Sequence, residues 1–94
     1  MRTTFTLDKP KVKLARQIEA TKSTINKYLK RERAKKLPEG ADFWDFSCKF
    51  GYSRDEAQFC HWKDIFKFID EAEAREQRTF YVEIIALAAE RKKR

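Results

Sequence analysis

The chain has 94 residues, with 22 Lys and Arg against 15 Asp and Glu and a formal net charge of +7, so it holds one domain with one modest core. Eight Phe, three Tyr and two Trp supply enough large side chains to build that core, which excludes wholesale disorder despite the charge. Two cysteines are too few for a stapled secreted scaffold, Met1–Phe5 lacks the apolar run of a signal peptide, and no stretch approaches the ~20 apolar residues of a membrane span.

Thr3 to Leu7 alternates polar and apolar residues and predicts a short strand. Asp8-Lys9-Pro10 then predicts a helix start, with Asp as cap and Pro in the first turn. The helix is expected over about Pro10 to Lys36, with Leu14, Ile18, Thr21, Ile25 and Tyr28/Leu29 spaced three or four apart along one stripe. Leu37-Pro38-Glu39-Gly40 ends it in a turn.

From Asp42 to Phe50, Trp44, Phe46, Cys48 and Phe50 share one face of a strand, and Phe43, Asp45, Ser47 and Lys49 share the other. Gly51 to Asp55 reads as a turn. Ala57 to Trp62 is expected to return as a third strand, Lys63 to Glu76 to form a helix with Ile65, Phe68/Ile69 and Ala72 inward, and Arg78 to Leu87 to form the last strand. A competing reading starts the second helix at Ser53, because Ser53-Arg54-Asp55-Glu56 fits a capping box and Ala57, His61, Ile65, Phe68 and Ala72 are helically spaced.

The preferred order is β-α-β-β-α-β, an α+β fold of the split-βαβ or ferredoxin-like kind. Both helices would cover one face of a four-stranded antiparallel sheet and leave the other open. The competing reading leads to a three-stranded β-α-β-α-β arrangement. Residues 1–88 are expected to form the domain and 89–94 a basic, disordered tail.

Several motifs occur in a distinctive order: Lys27-Tyr28-Leu29-Lys30-Arg31-Glu32-Arg33, then Leu37-Pro38-Glu39-Gly40 with Asp42-Phe43-Trp44-Asp45-Phe46, and later Phe80-Tyr81-Val82-Glu83-Ile84. In these the chain resembles a family of short bacterial proteins classed as a domain of unknown function, over nearly its whole length. The resemblance implies a bacterial, cytoplasmic protein and transfers no catalytic or binding residue.

The charge is segregated. Residues 9–36 carry eleven basic and two acidic residues, 11 − 2 = +9; residues 37–76 carry five and ten, 5 − 10 = −5; residues 77–94 carry five and two, 5 − 2 = +3. A first helix of about 26 residues would be ~39 Å long, and strands of six to eight residues only ~20–26 Å. Its end would therefore overhang the sheet, displaying Lys27, Lys30, Arg31, Arg33, Lys35 and Lys36. Such a rod suits the phosphate backbone of RNA or DNA, helped by Arg91 to Arg94. In the alternative, these charges are solvated or paired with Asp70, Glu71, Glu73 and Glu76 of the second helix, and the molecule is a protein-interaction or self-association module without a nucleic-acid ligand.

The open sheet face would display Phe43 and Tyr81 beside Lys49, as a base-stacking platform requires, although Asp45 and Glu83 on the same face repel phosphate. Cys48, Cys60 and His61 fall short of the four ligands usual for zinc, so no metal or other cofactor is expected. No nucleophile stands at a recognisable spacing from His61, and Gly40 and Gly51 cannot make a glycine-rich phosphate loop. An enzyme is not expected.

Overall fold

Apolar alternation places the strands where the sequence predicts them. The computed structural model describes residues 1–91. Its elements are β1 (Arg2–Thr6), α1 (Leu14–Arg33), β2 (Phe43–Gly51), β3 (Gln58–Cys60), α2 (Trp62–Ala74) and β4 (Thr79–Ala89). This is the expected β-α-β-β-α-β order, with every neighbouring pair of strands antiparallel. No helix among the described residues is long and apolar enough to cross a membrane.

The strands lie in the order β1-β4-β2-β3. β1 and β2 are parallel with β4 between them, and β3 and β4 are parallel with β2 between them, which makes two interleaved split βαβ units. The central pair is therefore β2 and β4, where a ferredoxin-like sheet has its first and third strands. Residue chemistry accounts for the placement: β4 reads Phe-Tyr-Val-Glu-Ile-Ile and is buried on both faces around Tyr81 and Val82, whereas Thr-rich β1 alternates exposed and half-buried residues at an edge.

The core lies between the sheet and the two helices. Ile18, Ile25 and Leu29 of α1 meet Ile65, Ile69 and Ala72 of α2 above Phe46 and Cys48 of β2 and Phe80, Val82 and Ile84 of β4. Burying each larger apolar side chain contributes about 1.5–3 kcal/mol. A chain of rings ties four elements together, with Phe80 centred 5.8 Å from Phe5 and 5.5 Å from Phe50, and Phe50 centred 5.6 Å from Phe68.

α1 is shorter than expected at both ends. Asp8 does not cap it, and Lys9–Val12 turn outside the helix. The buried Gln17 amide satisfies this segment instead: its Oε1 accepts from Lys9 N–H, and its Nε2 donates to the carbonyls of Lys9 and Val12. At the other end Trp44 Nε1 donates to the Lys35 carbonyl at 2.9 Å and draws the chain onto β2. Ala41 N–H then bonds Pro38 O across a turn whose third residue, Gly40, has φ +86°, as a type II turn requires.

The capping-box signal at Ser53 forms one turn, with Glu56 N–H donating to Ser53 Oγ at 3.3 Å, and goes no further. Gln58–Cys60 pair with β2 instead, and helix α2 starts after His61, whose Nδ1 accepts from Lys63 N–H at 3.2 Å. Gly51 permits the crossing between β2 and β3, because a Cβ there would lie 2.6 Å from Ala57 Cα and 2.7 Å from Ala57 N. Ala89 closes β4 and Arg91 N–H bonds Asp42 Oδ2; the rest of the tail expected at 89–94, residues 92–94, lies outside the described residues.

Gly51→Ala should cost about 1–3 kcal/mol, as for overpacking, read as a lower urea midpoint. At the end of α2, Glu76 has φ +55°. Its N–H bonds Glu73 O and that of Gln77 bonds Ala72 O, the C-terminal motif that normally carries glycine. Glu76→Gly should therefore stabilise the fold by about 0.5–1 kcal/mol, and an unchanged melting temperature would refute the strain.

Candidate functional site

Helix α1, 20 residues long, spans ~30 Å, while β2 and β4, with nine and eleven residues, span ~30 and ~36 Å. The expected overhang is therefore absent, because the helix is shorter and the strands are longer than the sequence suggested. The last turn of α1 lies on the fold, and its cations divide into two groups.

Arg33 and Lys35 serve the fold. The Arg33 guanidinium lies 4.4 Å from the Trp62 ring centre and 5.3 Å from that of Phe46, joining α1 to α2 and β2 by cation–π contact. Lys35 pairs with Glu32, whose side chain is only 12% exposed on the inward stripe. The Lys35 ammonium beside that carboxyl holds its pKa below the ordinary glutamate value.

Lys27, Lys30 and Arg31 are exposed and, among the described residues, none enters an ion pair. Spacings of three and four place them side by side on the outer face of α1. Lys36 is exposed just beyond the helix. Arg31 also lies 5.6 Å from the Tyr28 ring centre. The acidic second helix neutralises α1 at one point, where Lys22 pairs with Asp70.

Arg16 stands on the same outer face, eleven residues before Lys27 and so three turns away. The sequence reading overlooked it by attending only to the projecting end, although 3.6-residue periodicity aligns the two. Glu19 also stands near this face, about 60° of helix rotation from Arg16.

The open face does not assemble a stacking platform. Phe43 pairs with Ala89, and Tyr81 with Gly51, so the two aromatics sit at opposite ends of a nine-residue ladder. Tyr81, expected to be exposed, is only 3% accessible; it lies opposite Gly51, where the Glu56–Ala57 backbone crosses the sheet. Its hydroxyl donates to Glu83 Oε1 at 2.8 Å, and Arg2 Nε reaches the same oxygen at 3.4 Å. The Lys49 ammonium lies 4.6 Å from the ring centre of Phe59. Phe59, Leu87 and Phe43 are 75%, 47% and 37% exposed.

Cys48 and Cys60 face each other across β2 and β3 on the helix side of the sheet. Burial pushes the Cys48 thiol up to about 12 and raises that of Cys60, so both are poor nucleophiles near neutrality. Among the described residues no three His, Cys, Asp or Glu side chains converge as a metal site would require.

A family model matches residues 1–94, the whole length of the chain. The chain belongs to the family of unknown function DUF6172. Neither the curated proteins nor the solved structures contain a match to it. The DUF6172 chain thus carries no binding or catalytic residue assigned through a relative.

Tyr81 is the main support of the Glu83 carboxylate. Its hydrogen bond lowers the Glu83 pKa most, burial opposes it, and Lys49 and Arg2 reinforce it. A depressed folded-state carboxyl contributes stability above the ordinary glutamate pKa of about 4.3 and loses it as the pH falls through the folded value. Tyr81→Phe should move the Glu83 midpoint upward in an NMR titration and destabilise the protein more at neutral pH than in acid. An unmoved midpoint would show that the hydroxyl is not the cause.

Proposed function

We propose that this protein binds the phosphate backbone of RNA or DNA through the outer face of α1, with Lys27, Lys30 and Arg31 as the central contacts and Lys36 and Arg16 at the flanks. The observation that carries this reading is that these three cations lie together, exposed and without ion pairs, while Arg33 and Lys35 nearby are held by aromatic rings and Glu32. An exposed ion pair contributes only about 0–1 kcal/mol, so folding alone gives this face little reason to gather charge. Backbone contacts of this kind release counterions and read little sequence.

The second reading, a protein-interaction or self-association module with no nucleic-acid ligand, draws on Phe59, Leu87 and Phe43, whose apolar surface stays accessible on the open face. It predicts a mass in light scattering that rises with concentration and no binding to either nucleic acid.

Fluorescence anisotropy with labelled single- and double-stranded RNA and DNA, at several salt concentrations, tests the first reading. Replacing Lys27, Lys30 and Arg31 together by Gln should reduce the slope of log affinity against log salt by about 2–3, roughly 0.7–0.9 per lost phosphate contact. Replacing Arg33 and Lys35 by Gln should lower the melting temperature while changing that slope less. Unchanged affinity in the triple variant would refute the assignment.

A further inference from the structure

At the β1 edge of the sheet, backbone groups are left open beside a groove. The Met1 ammonium donates to Ile84 O at 2.7 Å, Ile84 N–H donates to Met1 O at 2.8 Å, and Leu7 N–H donates to Arg78 O at 2.7 Å. In an antiparallel ladder the bonded residues alternate. Met1, Thr3, Phe5 and Leu7 therefore turn their backbone groups toward β4, and Arg2, Thr4 and Thr6 turn theirs away from the sheet. These outward groups have no hydrogen-bond partner among the described residues.

Sheet edges are commonly guarded by shortness, proline, bulges or inward charge. The opposite edge, β3, is only three residues long. By contrast, β1 pairs residue for residue with β4 along its whole length and contains no proline. Beside it, between the strand and the first half of α1, lies a groove of about 430 Å³. Phe5, Leu7 and Val12 supply its apolar surface, and the small side chains of Ala20 and Thr24 leave it open. Lys9 and Arg16 add positive charge, and no carboxylate lines it.

We propose that β1 is a docking edge for an extended acidic peptide segment of a partner protein. The segment adds a fifth strand by bonding to the outward groups of Arg2, Thr4 and Thr6. Its side chains opposite Thr3 and Phe5 point to the helix side of the sheet and enter the groove, so small apolar residues are favoured there. Acidic residues at the end of the segment that lies beside Leu7 complement Lys9 and Arg16. A second copy of this chain is a poorer occupant, because two-fold pairing of β1 with itself brings Lys9 and Arg16 of both copies to one seam with no carboxylate from either groove.

The probe is a fluorescein-labelled decapeptide with three valines at alternate positions between threonines and two glutamates at each end, titrated into the 94-residue chain and followed by anisotropy. It should bind saturably, while the corresponding peptide with lysine in place of glutamate does not. Thr4→Pro removes an outward N–H without removing a bond to β4, and should weaken binding about tenfold or more. Ala20→Phe fills the groove and should weaken binding too, which keeps the test decisive if Thr4→Pro lowers the melting temperature. The Lys27, Lys30 and Arg31 triple Gln variant should bind the peptide as the wild type does, separating this edge from the polyanion face. No binding at about 1 mM peptide, equal binding of the lysine peptide, retained affinity in both edge variants, or loss confined to the triple variant would overturn the proposal. So would a dimer in light scattering that Thr4→Pro dissolves, since the edge would then belong to a second copy.

Discussion

Pairing of all nine residues of β2 along β4, from Phe43 opposite Ala89 to Gly51 opposite Tyr81, determines which side chains meet the helices. Slipping this ladder by one residue would turn the inward set to the wrong face. If β2 slips, Phe46 and Cys48 would leave the core, and Asp45 and Lys49 would enter it at a large desolvation cost. The hydrophobic pattern therefore enforces the register, and the helices find their places from it. Tyr28 makes the link directly: its hydroxyl accepts from the Met1 ammonium and donates to Ile84 O, joining α1 to β4 and to the residue that precedes β1.

A chain with eleven basic residues between positions 9 and 36 has to fold that segment without concentrating its repulsion in the core. It does so by giving its cations different tasks. Lys22 meets Asp70 where the helices touch, Lys35 neutralises the one carboxylate on the inward stripe, and Arg33 uses its planar guanidinium on two aromatic rings. A lysine at position 33 would lack that planar stacking surface. What remains on the outer face of α1 is the charge that the fold does not consume. Composition alone cannot separate the two groups, because it counts charges without showing which are already engaged.

Local pattern revealed much of the architecture. Alternation in β2 and β4 and the three-and-four spacing of Ile18, Ile25 and Leu29 identify the core, and the element order follows from them. Strand order does not, because periodicity states which face a residue occupies and not which strand lies beside it. The late start of α1 depends on Gln17 reaching back to Lys9 and Val12, a contact that local capping rules do not anticipate. The exposed cations at Lys27, Lys30 and Arg31 were legible as a group, whereas the commitment of Arg33 depends on Trp62, twenty-nine positions along the chain. Tyr81 was assigned to the correct face but the wrong environment, since it lies opposite Gly51, against which the Glu56–Ala57 backbone packs.

The position of β4 has a further consequence for how the molecule is made. Both β1 and β2 use this strand as their main neighbour, yet it follows every other described element in the chain. Before it emerges from the ribosome, β1 has no partner in the sheet and β2 has only the three residues of β3. The two amphipathic helices then have no completed surface on which to bury Ile25, Leu29, Ile65 and Ile69. Synthesis therefore passes through a long stage in which these side chains are uncovered, and the native sheet closes through contacts distant in sequence, which slows folding. Timing as well as stability rests on Thr79–Ala89: the nascent protein becomes a domain only when its final strand slides between the first two.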